Sequence, residues 1–125
     1  EHTDYGTITF VIQSDAGGLE LRTRDGQWIP ANPIPGTAVV NIGDLLMRWT
    51  NDKFVSTYHR VVPCVDSTTN RTRERFSAIL FLGPDDGTMC ECLPTCLTPN
   101  EAPKYPPVLA SDYILQRMKD AYGHS

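Results

Sequence analysis

The sequence predicts a mainly β protein, an antiparallel sandwich or jelly roll with one helix at its end. Three observations predict it. Short β-branched and aromatic runs of about four to eight residues recur along the chain. Clusters of Gly, Pro, Asn and Asp separate those runs as turns. Strands do not alternate with helices in the way a parallel, doubly wound sheet requires.

Each element has its own justification. Residues 7–12, TITFVI, favour a strand that continues out of the opening His2-x-Asp4. The segment GGLELRTRDGQWIPA alternates apolar with polar positions around Asp25-Gly26, a dipeptide suited to the positive φ angles of a tight hairpin turn. TAVVNIG reads as a further strand, and GDLLMRWTND as a turn or two of helix capped by Asp44. KFVSTYHRVV alternates again, placing Thr57, His59 and Val61 on one face before Pro63 ends it. Beyond the polar loop CVDSTTNRTRE, RFSAILFL is a strand that looks buried, with Arg75, Ser77, Ile79 and Phe81 sharing a face. Pro-rich coil then leads to a helix that starts near Ser111 or Asp112, has Ile114, Leu115 and Met118 on its apolar side, and stops at Gly123. This makes six or so strands, with no internal repeat.

A chain of 125 residues fits one domain. A formal charge of -4 gives no electrostatic reason to expect nucleic acid or an anionic membrane as partner, the short RTRER run being a local exception. No apolar run approaches the roughly 18 residues of a membrane span, and no leader pattern opens the chain, so a cytoplasmic protein is expected. Cys64, Cys90, Cys92 and Cys96 read as free thiols in loops, because CECLPTC has no histidine nearby to complete a zinc site. Asn70-Arg71-Thr72 is a formal glycosylation tripeptide of little weight.

On a strand, His2 and Asp4 project to the same face, near enough for an imidazole and a carboxylate to meet on one ion. By itself this signal is weak, because His-x-Asp arises often by chance and the ordinary reading is an exposed polar pair. His59, the other histidine inside an expected strand, would complete two imidazoles and a carboxylate, the facial triad of non-haem iron(II). His124 is set aside as a solvated side chain past the last helix. Arg75 and Ser77 offer a guanidinium fork and a hydroxyl on one face, a pair suited to a carboxylate. The alternative is an arginine at the rim, paired with Glu74 or solvent.

The segments HTDYGTIT, WIPANPIPGTAVVNIGDLLMRWTNDKF, STYHRVV and RFSAILFLGP, in this order, resemble the C-terminal half of the isopenicillin N synthase-like branch of iron(II)/2-oxoglutarate-dependent dioxygenases, over nearly the whole chain. The specificity of the match lies in its spacing: a histidine 57 positions after His2, and an Arg-x-Ser 16 positions after that histidine. The resemblance implies that His2, Asp4 and His59 hold iron(II) and that Arg75 and Ser77 bind the far carboxylate of 2-oxoglutarate. It also implies that Phe81, and more loosely Tyr5, meet the substrate. The implied fold is a double-stranded β-helix, a cupin-like jelly roll, with a C-terminal helix and without the N-terminal region of the family. Residues 1–125 are then expected to be the C-terminal part of a longer enzyme.

The implied activity is oxidative decarboxylation of 2-oxoglutarate coupled, with dioxygen, to hydroxylation or a related oxidation of a small organic molecule. Two other readings stay open: an iron oxidase of isopenicillin N synthase type that does not use 2-oxoglutarate, and a non-catalytic jelly-roll binding module. A zinc hydrolase is disfavoured, because no general base is evident beside the triad. Members of the family act on secondary metabolites, hormones, nucleobases and peptides, and the sequence does not choose among them.

Overall fold

The computed structural model describes residues 1–123. His124 lies outside the described residues. In chain order the elements are β1 (Ile8–Gln13), β2 (Leu19–Arg22), β3 (Trp28–Pro30), β4 (Val39–Ile42), α1 (Asp44–Trp49), β5 (His59–Val61), β6 (Ser77–Leu82), β7 (Met89–Cys90), a 3-10 turn (Pro94–Cys96), β8 (Val108–Leu109) and α2 (Ala110–Tyr122). The strands form two antiparallel three-stranded sheets, in the orders β4-β1-β6 and β3-β2-β5, and a ribbon of β7 with β8. None of these helices is long and apolar enough to cross a membrane.

β1 is the centre of its sheet. Its register places Thr9 between Asn41 and Phe81, Val11 between Val39 and Ile79, and Gln13 beside Ser77. Thr9, Val11 and Asn41 are buried, so this is the inner face of the sheet. Ile79 and Phe81 share that face, yet they stand on an edge strand and stay 52% and 64% exposed. Of the expected strand RFSAILFL, β6 covers SAILFL, with Arg75 and Phe76 preceding it, and it is exposed rather than buried. Two side chains bridge to the second sheet: Gln13 Nε2 donates to Ala31 O, just past β3, and Arg75 Nε donates to Gly17 O, just before β2.

The best enclosed core lies beside the sheets. Leu45 of α1, Cys90 of β7 and Ala110 of α2 are shielded from solvent and packed against Trp49, Val108, Tyr113 and Ile114. Cys90 is thus a core residue and not a loop thiol, and burial raises its thiol pKa; all four cysteines are free. The stretch expected as Pro-rich coil also holds the short β7–β8 ribbon. On α2, Ile114 packs against the core, while Leu115 and Met118 remain about half exposed.

Local turns differ from expectation in two places. In the β2–β3 hairpin only Gly26 takes positive φ, +86°, and Asp25 does not. Asp25 instead accepts hydrogen bonds from the Thr23 hydroxyl and from Gln27 Nε2, so its side chain braces a five-residue loop that needs one left-handed position. At α1 the N-cap is Gly43, with no side-chain capping bond. Asp44 does not cap the helix; its carboxylate turns inward to three partners described below.

Candidate metal centre

His2 and His59 are joined by one rung of antiparallel pairing. His2 N donates to His59 O at 3.1 Å, and His59 N donates to His2 O at 3.0 Å. Residues directly opposite in such a pair project to the same side, so a rung between positions far apart in sequence brings two imidazoles together. Their ring centroids are 4.4 Å apart. Residues 3–7 lie outside any strand, so the motif precedes β1 and is not carried on it as expected. The alternation from His2 to Asp4 nevertheless holds.

Asp4 Oδ1 lies 3.7 Å from His2 Nε2 and 3.5 Å from His59 Nε2. One donor atom from each of the three residues lies within 4.8 Å of the others, and this is the one such group among the described residues; the cysteines contribute to none. His59 Nδ1 is 3.1 Å from Thr57 O, which holds the proton there and leaves the Nε2 lone pair facing the group. Burial, and then the adjoining His59 ring, lower the pKa of His2, favouring the neutral imidazole that a metal ligand must be. Asp4 is 4% exposed, and its Oδ2 has no hydrogen-bond partner. A buried carboxylate oxygen left unpaired is costly, and a cation seated between the three side chains would satisfy it. The two-nitrogen, one-oxygen donor set fits iron(II) with coordination positions to spare.

The backbone of the motif is docked on the start of α1. Asp44 N donates to Asp4 O, Leu45 N to Gly6 O and Gly43 N to Thr7 O. A Cβ at Gly43 would lie 2.3 Å from Gly6 O and 3.3 Å from Asp4 O, so glycine is what allows this approach.

Ser77 opens β6 on its inner face, at the end away from Phe81, and Arg75 lies two residues before it, just outside the strand. Three of the five guanidinium donors are used within the protein: Nε on Gly17 O at 2.8 Å, Nη1 on Ser77 Oγ at 2.6 Å and Nη2 on Gln13 Oε1 at 3.4 Å. One donor on each terminal nitrogen is left for an outside acceptor. Among the described residues no carboxylate pairs with Arg75, Glu74 included. The partly buried cation is oriented but not neutralised.

A cavity of about 410 Å³ opens beside the triad, lined by His2, Asp4, Tyr5, Phe81, Ile114 and Met118 among others. Tyr5 and Phe81 both face it, although strand parity alone would turn Tyr5 away. A larger hollow of about 620 Å³ lies along the segment 33–38, but Asp15 is its only ionisable wall residue. The smaller cavity is the one with convergent polar chemistry. Sequence reasoning missed the α2 contribution to it, because Ile114 and Met118 read as ordinary apolar-face residues.

Residues 1–84 match the 2OG-Fe(II) oxygenase superfamily. The chain is 39% identical over 125 residues to the 2-oxoglutarate-Fe(II) type oxidoreductase hxnY of Emericella nidulans, covering 99% of this chain and 34% of that protein. It is 37% identical over 122 residues to kihadalactone A synthase LFS of Citrus sinensis, covering 94% of this chain and 34% of that one. The crystal structure of full-length Neurospora crassa T7H in complex with alpha-KG and thymine superposes with a TM-score of 0.83 at 38% identity, over 97% of this chain and 36% of that chain. The fold is thus the jelly roll of these oxygenases, represented in part. The chain spans about a third of the length of the curated relatives it matches.

Proposed function

The chain belongs to the 2OG-Fe(II) oxygenase superfamily, and on that premise we propose that residues 1–125 are the C-terminal part of a non-haem iron dioxygenase. The enzyme would convert 2-oxoglutarate, dioxygen and a small organic substrate R–H into succinate, carbon dioxide and R–OH, or into the product of a related oxidation. The reading extends to an N-terminal portion of the same enzyme and to a cytoplasmic setting, the latter in keeping with four free cysteines.

The observation that carries the proposal is the convergence of His2, Asp4 and His59 around an unpaired, buried carboxylate oxygen. These three would hold iron(II), which when bound supplies the dioxygen chemistry that no side chain carries. The protein's part is positional and electrostatic. Thr57 O keeps His59 in the tautomer that presents Nε2. The two free donors of Arg75, with Ser77 beside them, suit the far carboxylate of 2-oxoglutarate in a bidentate pair. Tyr5 and Phe81 offer aromatic faces to the substrate in the largely apolar cavity beside the triad.

His59→Ala in the complete enzyme, reconstituted with iron(II) without air, should abolish substrate-dependent succinate formation. Coupled turnover retained at normal iron loading would reject the assignment. Succinate released in step with product also separates this reaction from an oxidase that spares 2-oxoglutarate, which makes none.

A further inference from the structure

Thr3 lies between two residues of the triad, and adjacent side chains of an extended segment point to opposite sides. It therefore faces away from His2 and Asp4, into the protein, where it is 6% exposed. Its hydroxyl donates to Asp44 Oδ2 at 3.3 Å and accepts from Arg117 Nη2 at 3.1 Å. Asp44 Oδ2 also accepts from the Tyr113 hydroxyl at 3.0 Å and lies 3.5 Å from Arg117 Nη1. Arg117 covers the Tyr5 ring at 4.9 Å. Thr3, Asp4 and Tyr5 are consecutive, and each is held by Asp44 or Arg117: Thr3 by both side chains, Asp4 through the Asp44 amide, Tyr5 by the guanidinium.

A carboxylate whose side chain is 4% exposed is an expensive way to join a helix to a loop, since apolar residues of similar volume pack as well without the desolvation. What such a network provides is a fixed direction for the segment it holds. A metal-binding carboxylate needs that direction, because Asp4 Oδ2 must stay unpaired and aimed while its backbone is anchored.

We propose that Asp44, Arg117 and Tyr113 are positioning residues that clamp Thr3, and that the metal affinity of the His2–Asp4–His59 centre therefore depends on the C-terminal helix α2. The inference rests on the metal-centre reading above. Its test uses the complete protein, anaerobic and metal-free, titrated with cobalt(II) and followed by the visible ligand-field bands. Far-UV circular dichroism and the thermal midpoint of the metal-free form are recorded for each variant.

Thr3→Val keeps the shape and removes the hydroxyl; Thr3→Ser keeps the hydroxyl. Arg117→Gln changes a partly exposed position on α2, so the clamp is still tested if the valine variant does not fold. Cobalt binding should weaken about 10- to 100-fold in Thr3→Val and Arg117→Gln, with altered band positions at saturation, and should return close to wild type in Thr3→Ser. Folded Thr3→Val and Arg117→Gln proteins with the wild-type dissociation constant and spectrum would overturn the inference, even with a lowered thermal midpoint, because the network would then be merely structural. Wild-type protein that binds no cobalt would overturn the metal-centre reading, and this inference with it.

Discussion

Tyr113 shows how much of the site is set by single residues far from the chemistry. Burial, then the charge of Asp44 and the hydrogen bond to it, push its hydroxyl from 10.0 up to about 12. The folded value lies above the unfolded one, so the stabilising contribution of the protonated phenol is complete below about pH 10 and is lost as pH climbs toward 12. Wild-type protein should lose stability to urea more steeply over that alkaline window than Tyr113→Phe, which has no proton to release there. Parallel pH profiles for the two would show that the phenol is not held in this way. His2, Asp4, His59 and Arg75 stand out in the sequence through the spacing of His-x-Asp, the distal histidine and Arg-x-Ser, which residue type alone does not supply. Asp44 does not: a helix-start aspartate ordinarily caps, and its partners Thr3, Tyr113 and Arg117 are 41 or more positions away.

Among the elements, α1 depends most on its surroundings. Six residues are too few for a helix to persist alone, where about 12 to 15 are already marginal. It exists because Leu45, fully buried, plugs the space between β7 and the start of α2. Leu45→Ala should therefore cost about 2–5 kcal/mol of unfolding free energy. Leu115→Ala, at a position 53% exposed, should stay within about 0.5 kcal/mol. Urea titrations at equilibrium compare the two, and similar losses would mean that α2 buries a different face. β1, β4, the β2–β3 hairpin and α2 were legible from local pattern, because β-branched runs, Asp-Gly and a helix stop are local signals. The β7–β8 ribbon was not, since a two-residue strand carries no periodicity and forms only when its partner is brought to it. The rung from His2 to His59 was legible only through the spacing of the motifs, as backbone pairing across such a distance leaves no trace in either segment.

For the whole molecule, the decisive feature is the second face of the β4-β1-β6 sheet. The run TITFVI has apolar side chains on both of its faces, the pattern of a strand covered on both sides. Thr9 and Val11 are covered, whereas the opposite face sets Phe10 and Ile12 beside Val40, Ala78 and Leu80 with little over them. Ile12, Val40 and Leu80 are each more than half exposed, and β6 is also an edge whose backbone groups are free to pair on one side. A contiguous apolar surface on an edge-bearing sheet drives association in water, because each encounter removes apolar area and can add a strand. Residues 1–125 prepared alone should thus self-associate at about micromolar concentration, a regime in which exposed apolar sheet commonly aggregates. The double variant Ile12→Lys with Leu80→Glu places charge on that face without touching the triad, and should shift the population toward monomer by size-exclusion chromatography with light scattering. If the unsubstituted chain is already monomeric, or the double variant associates equally, another surface governs its solution state.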